Sequence, residues 1–161
     1  MLAAQPAVTL IAGTAVVAAL DLASKAAAPA LAPAAPWLLA PMTNDALSLG
    51  IATATAPALV AAMAVGLLAA ALVVVRLIGT GRVGVVGCVL LLGGALGNLV
   101  DRAATGAVHD FLITGPVVLN VADLAVLTGT VSIARALHRT AGPIAGEPAA
   151  SAPGTFVSEG R

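Results

Sequence analysis

The sequence predicts an all-α membrane protein with four transmembrane helices and an irregular or partly β segment on the extracytoplasmic side. Of the 161 residues, 60% are hydrophobic and only 9% are charged, whereas soluble domains carry about 25% charged residues. The apolar residues form runs comparable to the roughly 20 residues that cross a bilayer as a helix. The net charge is zero, so no nucleic-acid partner is expected.

The first three spans follow from apolar runs. The first extends from Pro6 to about Ala28, the second from about Ile51 to Val75, and the third from Val83 to about Val100. Residues 1–5 contain no Lys or Arg, so we interpret the first run as a retained helix rather than a signal peptide.

The fourth span requires an extension of its apolar run. Leu124 to Ala134 comprises only 11 residues, which rise about 17 Å as a helix and do not cross a hydrocarbon core of about 30 Å. Extending the helix back to about Pro116 supplies the missing length. This extension places Asp123 inside the helix.

Two segments are predicted to lie outside the spans. Residues 29–50 contain prolines at positions 29, 33, 36 and 41, which argue against a continuous helix and predict an irregular or partly extended segment at the interface. Residues 140–161 are rich in Pro, Gly, Ala and Ser, which is typical of a flexible tail. We therefore expect a membrane domain over residues 1–139 and a cytoplasmic tail over 140–161.

Arginine placement predicts the orientation of the chain. Arg76 and Arg82 flank the connection between the second and third spans, and Arg135 follows the fourth. Because basic residues accumulate on the cytoplasmic side, both termini are expected in the cytoplasm. Residues 29–50 and 101–116 are then on the outer side, and all five Asp residues lie at or near it.

Carboxylates and amides recur around the third and fourth spans. Asn98 and Asp101, and again Asn120 and Asp123, are three residues apart, a spacing that places both side chains on one helix face. An ionisable group at membrane depth costs about 2.5 to 3.5 kcal/mol, so it marks a candidate functional site. We expect the two polar faces to pack together, with Asp110 brought alongside by a loop.

Facing carboxylates favour acid/base hydrolysis. Two in contact do not easily both ionise, so one keeps a proton while the other acts as base. Such a pair activates a water and protonates the leaving amine without metal or cofactor. The sequence contains neither HExxH nor GxSxG, and its single cysteine, Cys88, is interpreted as a packed core residue. Spacing alone leaves open which of the carboxylates form the pair.

Structural roles are the alternative interpretation of these groups. Asp101 and Arg102 would then form an ion pair at the helix boundary, and Asp110 would be a solvated loop residue. This alternative explains Asp123 poorly, because a buried helical carboxylate needs a partner and only Arg102 and Lys25 offer positive charge nearby.

Four blocks stand out in chain order: Asp21 to Lys25 (DLASK), Gly94 to Arg102 (GALGNLVDR), Val108 to Phe111 (VHDF) and Leu119 to Asp123 (LNVAD). Their order and spacing strongly resemble those of the lipoprotein signal peptidases, the type II signal peptidases of bacteria. The resemblance runs from the first span to the fourth.

This resemblance implies an aspartic peptidase of the bacterial plasma membrane that removes signal peptides from diacylglyceryl-modified prolipoproteins, cleaving just before the lipidated cysteine. The expected partners are this substrate and membrane lipid, with no cofactor or metal, and the protein is expected to be a monomer with its active site toward the outer face. Asp110 and Asp123 match the catalytic carboxylates. The expected substrate-binding residues are Asn44, Asn98, Arg102 and Asn120, and the expected supporting residues are Asp21, Lys25 and Asp101.

Three departures from the family's pattern affect these expectations. The family commonly reads N-x-GAAFS, whereas this chain reads NDALSLG from Asn44, which leaves the shape of the substrate contact open. His109 occupies the second position of the VVDF block, and we interpret it as an interfacial loop residue rather than a general base. Only 12 residues separate Asp110 from Asp123, so the outer loop is expected to be short.

Two other functions stay open at this point. A small transporter or assembly factor would relay protons or ions through Asp101 and Asp123, and an inactive paralogue would have lost peptidase activity. If Asp110 is on a loop, as the sequence suggests, substrate binding would be needed to bring it beside Asp123.

Overall fold

A computed structural model describes residues 4–44 and 56–140. They form four long helices, each apolar enough to cross a membrane, and a small antiparallel sheet. This arrangement confirms the predicted fold class. The helices are α1 (Ala4–Leu31), α2 (Ala56–Gly79), α3 (Val85–Thr105) and α4 (Val121–Thr140), and the strands are β1 (Leu39–Asn44), β2 (Val108–Ile113) and β3 (Val118–Leu119).

The sheet connects the helices at one end of the bundle. A short 3-10 turn (Ala32–Ala34) leads from α1 into β1, while β2 and β3 form a hairpin between α3 and α4. The strand order is β1-β2-β3, with β2 in the centre. The hairpin turn is closed by two hydrogen bonds from Thr114 to the carbonyl of Val117 and uses a positive φ of 93° at Gly115. The prediction of a loop over residues 101–116 is therefore wrong for the residues that form strand β2 of this hairpin.

Several helix boundaries differ from the predictions, and α2 for example ends at Gly79 rather than Val75. α1 continues through Pro29 to Leu31, because one proline near a helix end costs few hydrogen bonds. α3 continues to Thr105 and is capped by Gly106. The left-handed φ of 85° at Gly106 allows its N–H to reach the carbonyl of Arg102. α4 begins at Val121 rather than near Pro116. The predicted start of the second span at residues 51–55 and the tail from residue 141 lie outside the described residues.

Helix α3 is the centre of the bundle and packs against α1, α2 and α4. Glycines allow the close approach that association of membrane helices requires. A Cβ at Gly93 would lie 2.5 Å from the Cβ of Val17 on α1, and one at Gly129 on α4 would lie 2.6 Å from the carbonyl oxygen of Gly87. Cys88 is completely buried in this core, as the sequence suggested.

We predict that Gly94→Ala lowers stability much more than Gly66→Ala. A Cβ at Gly94 would collide with the carbonyl oxygen of Ala122 at the start of α4, and backbone cannot move aside as a flexible side chain would. Such overpacking costs about 1 to 3 kcal/mol. A Cβ at Gly66 meets no atom within 4 Å, so that variant should stay within about 1 kcal/mol of the parent.

The measurement is thermal unfolding in detergent, followed by a fluorogenic thiol reagent. Cys88 is the sole cysteine and is fully buried, so its labelling reports the opening of the core. Equal unfolding midpoints for the two variants would contradict the packing described for α3 and α4.

Candidate active site

The residues that the sequence singles out converge at the end of the bundle that carries the sheet. The C-terminal parts of α1 and α3, the start of α4, and strands β1 and β2 each contribute side chains. The site thus combines elements that are far apart in sequence. Its buried polar members are Asp21, Lys25, Asp101, Arg102, Asp110 and Asn120.

Asn120 connects the two carboxylates predicted to be catalytic. Its side-chain amide nitrogen donates to Asp110 Oδ1 at 2.6 Å, and its backbone N–H donates to Asp123 Oδ2 at 3.2 Å. Asp110 and Asp123 are therefore held around one fully buried asparagine. They are close enough for their charges to interact.

The Asn120-Val121-Ala122-Asp123 sequence forms a reciprocal cap at the start of α4. Asp123 N–H donates to Asn120 Oδ1 at 2.9 Å while the Asp123 carboxylate accepts from the Asn120 N–H. This is the geometry of a capping box, in which N-cap and third helical residue satisfy each other's free N–H groups. Asn120 thus precedes the helix, and the prediction that it shares a helix face with Asp123 is wrong.

Each oxygen of the two carboxylates receives a hydrogen bond from an uncharged amide. Besides the Asn120 contacts, Asn44 donates its side-chain amide to Asp110 Oδ2 at 3.2 Å, and Asn98 donates to Asp123 Oδ1 at 2.9 Å. Asp110 is buried, whereas Asp123 is partly exposed. Of the two carboxylates, Asp123 is therefore the more accessible.

Arg102 supports the Asn44 side of the site. Its Nη2 donates to the backbone carbonyl of Asn44 at 3.0 Å, across the junction between α3 and β1. Asn44 is the last residue of β1, and its neighbour in the sheet register is Val108, two residues before Asp110. The guanidinium thus fixes the strand end that presents the Asn44 amide.

Lys25 is the centre of a buried polar cluster behind the pair. Its ammonium group lies 2.8 Å from Asp21 Oδ2, 3.1 Å from Asp101 Oδ2 and 2.8 Å from Asn98 Oδ1. Three contacts match the three protons of an ammonium group. Because Asn98 also donates to Asp123, this cluster is directly connected to the pair.

Asp21 fixes α1 against the start of α4. Its Oδ1 accepts from the backbone N–H of Ala122 at 2.8 Å, one of the first helical N–H groups, which have no partner within the helix. A negative charge at this end also interacts favourably with the helix dipole. The sequence assigned Asp21 a supporting role only by resemblance, and this contact explains it.

Two local predictions are corrected by the structure. Asp110 lies on strand β2 rather than on a loop, so neighbouring strands and Asn120 already hold it beside α4 without substrate. His109 also lies on β2, and its Nδ1 is 2.8 Å from Asp101 Oδ1. Asp101 therefore contacts Lys25 and His109. The structural alternative drawn from the sequence gave it only an ion pair with Arg102 at the helix boundary.

The sequence is similar to those of known lipoprotein signal peptidases. The lipoprotein signal peptidase of Methylorubrum extorquens (strain PA1) is 55% identical over 49 residues, which are 27% of this chain and 29% of that protein. The lipoprotein signal peptidase of Rhodopseudomonas palustris (strain ATCC BAA-98 / CGA009) is 39% identical over 83 residues, 46% of this chain and 47% of that protein. The chain thus matches less than half the length of these relatives.

Solved structures and a family model extend the match. Two bacterial membrane enzymes share the fold, one with a TM-score of 0.66 and 22% identity over 88% of this chain and 94% of that one. The other has a TM-score of 0.60 and 23% identity over 80% of this chain and 92% of that one. The model of Peptidase_A8, described as signal peptidase (SPase) II, matches residues 13–138. Since this match covers well over half of the sequence, the chain belongs to the signal peptidase II family.

Proposed function

We propose that this protein is a membrane aspartic endopeptidase that removes the signal peptide from diacylglyceryl-modified prolipoproteins, cleaving just before the lipidated cysteine. The observation that carries the proposal is the arrangement of Asp110 and Asp123 around Asn120. Family membership supplies the reaction class, and the carboxylate pair supplies groups able to perform it.

In the proposed mechanism, the pair shares one proton. Two neighbouring carboxylates repel each other when both are ionised, which favours a singly protonated state. The four donors are uncharged amides, which favour ionised carboxylates less strongly than positively charged donors would. The ionised member takes a proton from a water that attacks the scissile carbonyl, and the protonated member donates to the leaving amine.

The substrate is proposed to enter sideways from the membrane, between the helices and the outer segment. Asn44, Asn98, Arg102 and Asn120 would border it. The contacts of the three asparagines with the pair support a second role for them in holding the carboxylates. Asp21, Lys25 and Asp101 are proposed as the supporting cluster. On this proposal the protein acts as a monomer. Both termini lie in the cytoplasm and the site lies toward the outer face, an orientation that the arginine distribution favours.

We expect Asp123→Asn and Asp110→Asn each to lower cleavage by at least about 100-fold, because each replaces one partner in proton transfer. The measurement is processing of a diacylglyceryl-modified prolipoprotein in a strain depleted of its own type II signal peptidase, read as a mobility change. Protection of Cys88 from a thiol reagent before heating confirms that each variant is inserted and folded. Cleavage by Asp123→Asn at the parent rate would contradict the dyad, and an inactive parent would favour the paralogue interpretation.

Asn120 allows stability and catalysis to be separated. Asn120→Ser keeps an effective N-cap side chain but lacks the amide that donates to Asp110. We expect Asn120→Ser to unfold at a higher temperature than Asn120→Ala, since both leave Asp110 Oδ1 without this donor but only serine keeps the cap. Cleavage should be about 10-fold to 100-fold slower than in the parent, because Asp110 loses the bond that fixes it relative to Asp123. Asn120→Ala should lose the cap as well, at about 1 kcal/mol.

The readouts are unfolding by Cys88 labelling and cleavage of purified substrate in detergent. Parent-like cleavage by Asn120→Ser would show that the bridging amide is not needed to position the pair.

A further inference from the structure

His109 connects the exposed surface of the sheet to the buried cluster. Its side chain is 40% exposed. Both oxygens of Asp101 are nevertheless occupied by this one residue, since the backbone N–H of His109 donates to Oδ2 at 2.8 Å and Nδ1 lies 2.8 Å from Oδ1. Because residues alternate across a strand, His109 faces away from the side that presents Asp110.

A continuous set of polar contacts leads from this imidazole to the pair. Asp101 Oδ2 lies 3.1 Å from Lys25 Nζ, and Lys25 in turn lies 2.8 Å from Asn98 Oδ1. The nitrogen of the same amide donates to Asp123 Oδ1 at 2.9 Å. Each link shares a group with the next, so a change of charge at one end alters the hydrogen bonding at the other.

The protonation state of His109 changes the net charge of the polar groups around it. Helix α1 contributes Asp21 and Lys25, and α3 contributes Asp101, with Arg102 next in sequence. Asp110 is on the same strand and Asp123 lies beyond Asn98, while Thr43, the neighbour in the sheet register, is uncharged. The Asp21, Lys25 and Asp101 group carries one positive and two negative charges, and a protonated imidazole brings the sum to zero.

We propose that His109 is a positioning residue for the carboxylate pair, which adjusts Asp123 to the pH outside the membrane through Asp101, Lys25 and Asn98. The proposal rests on the proposed function. When His109 is protonated, it takes a larger share of the Asp101 charge and leaves the Lys25 ammonium more available to Asn98. The polarised amide then donates more strongly to Asp123 and stabilises its ionised form, so cleavage persists to lower pH.

Burial makes this coupling effective. The side chains of Lys25 and Asp101 are only 5% and 6% exposed, so their interactions are weakly screened by water. The imidazole itself is accessible, and histidine is the residue type whose charge commonly changes near neutral pH. An exposed histidine in contact with buried charged side chains is the arrangement that a sensor of external pH requires.

The first test is the pH dependence of cleavage for the parent, His109→Gln and His109→Val. Gln retains a hydrogen-bond donor for Asp101 without the titrating charge. We expect both variants to lose about threefold more activity than the parent on going from about pH 7.5 to about pH 5.5. His138→Gln is the matched control, because His138 is the only other histidine and is exposed near the far end of α4; its profile should follow the parent. A parent-like profile for His109→Gln would overturn the proposal.

The second test needs no catalysis, so it separates this proposal from the proposed function. The side-chain amide of Asn98, assigned by its loss in Asn98→Ala, is followed by NMR in lipid nanodiscs between about pH 5.5 and pH 8. Its pH profile should be the same in the parent and in His138→Gln. In His109→Gln the profile should move to higher pH, because the resonance then follows Asp123 alone, without the charge of His109. An unmoved profile in His109→Gln would overturn the coupling even if the parent cleaves its substrate, whereas the expected move beside a parent that does not cleave would support the coupling and refute the peptidase assignment.

Discussion

The fold requires hydrogen-bond partners for the polar groups that are buried at one end of the apolar bundle. Away from water, each unpaired carboxylate, amide or helix-end N–H costs on the order of several kcal/mol. Asn120 meets this requirement for several groups at once, because its side chain serves both Asp110 and the Asp123 N–H while its backbone serves the Asp123 carboxylate. The carboxylate pair is therefore a part of the fold as well as a candidate for chemistry.

Glycine packing sets the distances on which these bonds depend. Gly94 leaves room for the carbonyl of Ala122, and Gly97 leaves room for Asp21, whose Oδ2 would lie 2.7 Å from an added Cβ. Both glycines lie in the helical turn that precedes Asn98 on α3. Since Asn98 must reach Lys25 on one side and Asp123 on the other, side chains at these positions would separate the helices that the amide joins.

The sequence predicted the fold class well, because apolar runs and charge placement depend on the membrane rather than on tertiary detail. The start of α4 was placed too early, since an argument from length extended the helix through Pro116. The Asn-x-x-Asp spacing before an apolar run is itself a signature of a helix start, and applying it would have located Val121. The hairpin containing Asp110 depends on pairing with β1, more than 60 residues earlier in the chain, which local patterns do not reveal. The contacts of Lys25 and His109 likewise arise only from packing between distant segments.

The bond from Asp21 to the Ala122 N–H has a consequence for biogenesis. A ribosome delivers α1, α2 and α3 before α4 exists, so Asp21 and Asn98 must wait for their last partners until the final helix leaves the translocon. Nascent chains that stop short of that helix lack Asp123 and the whole Asn120 cap, so the proposed active site is incomplete in them. On the proposed function, a chain in the membrane therefore gains activity only after α4 has been synthesised and inserted.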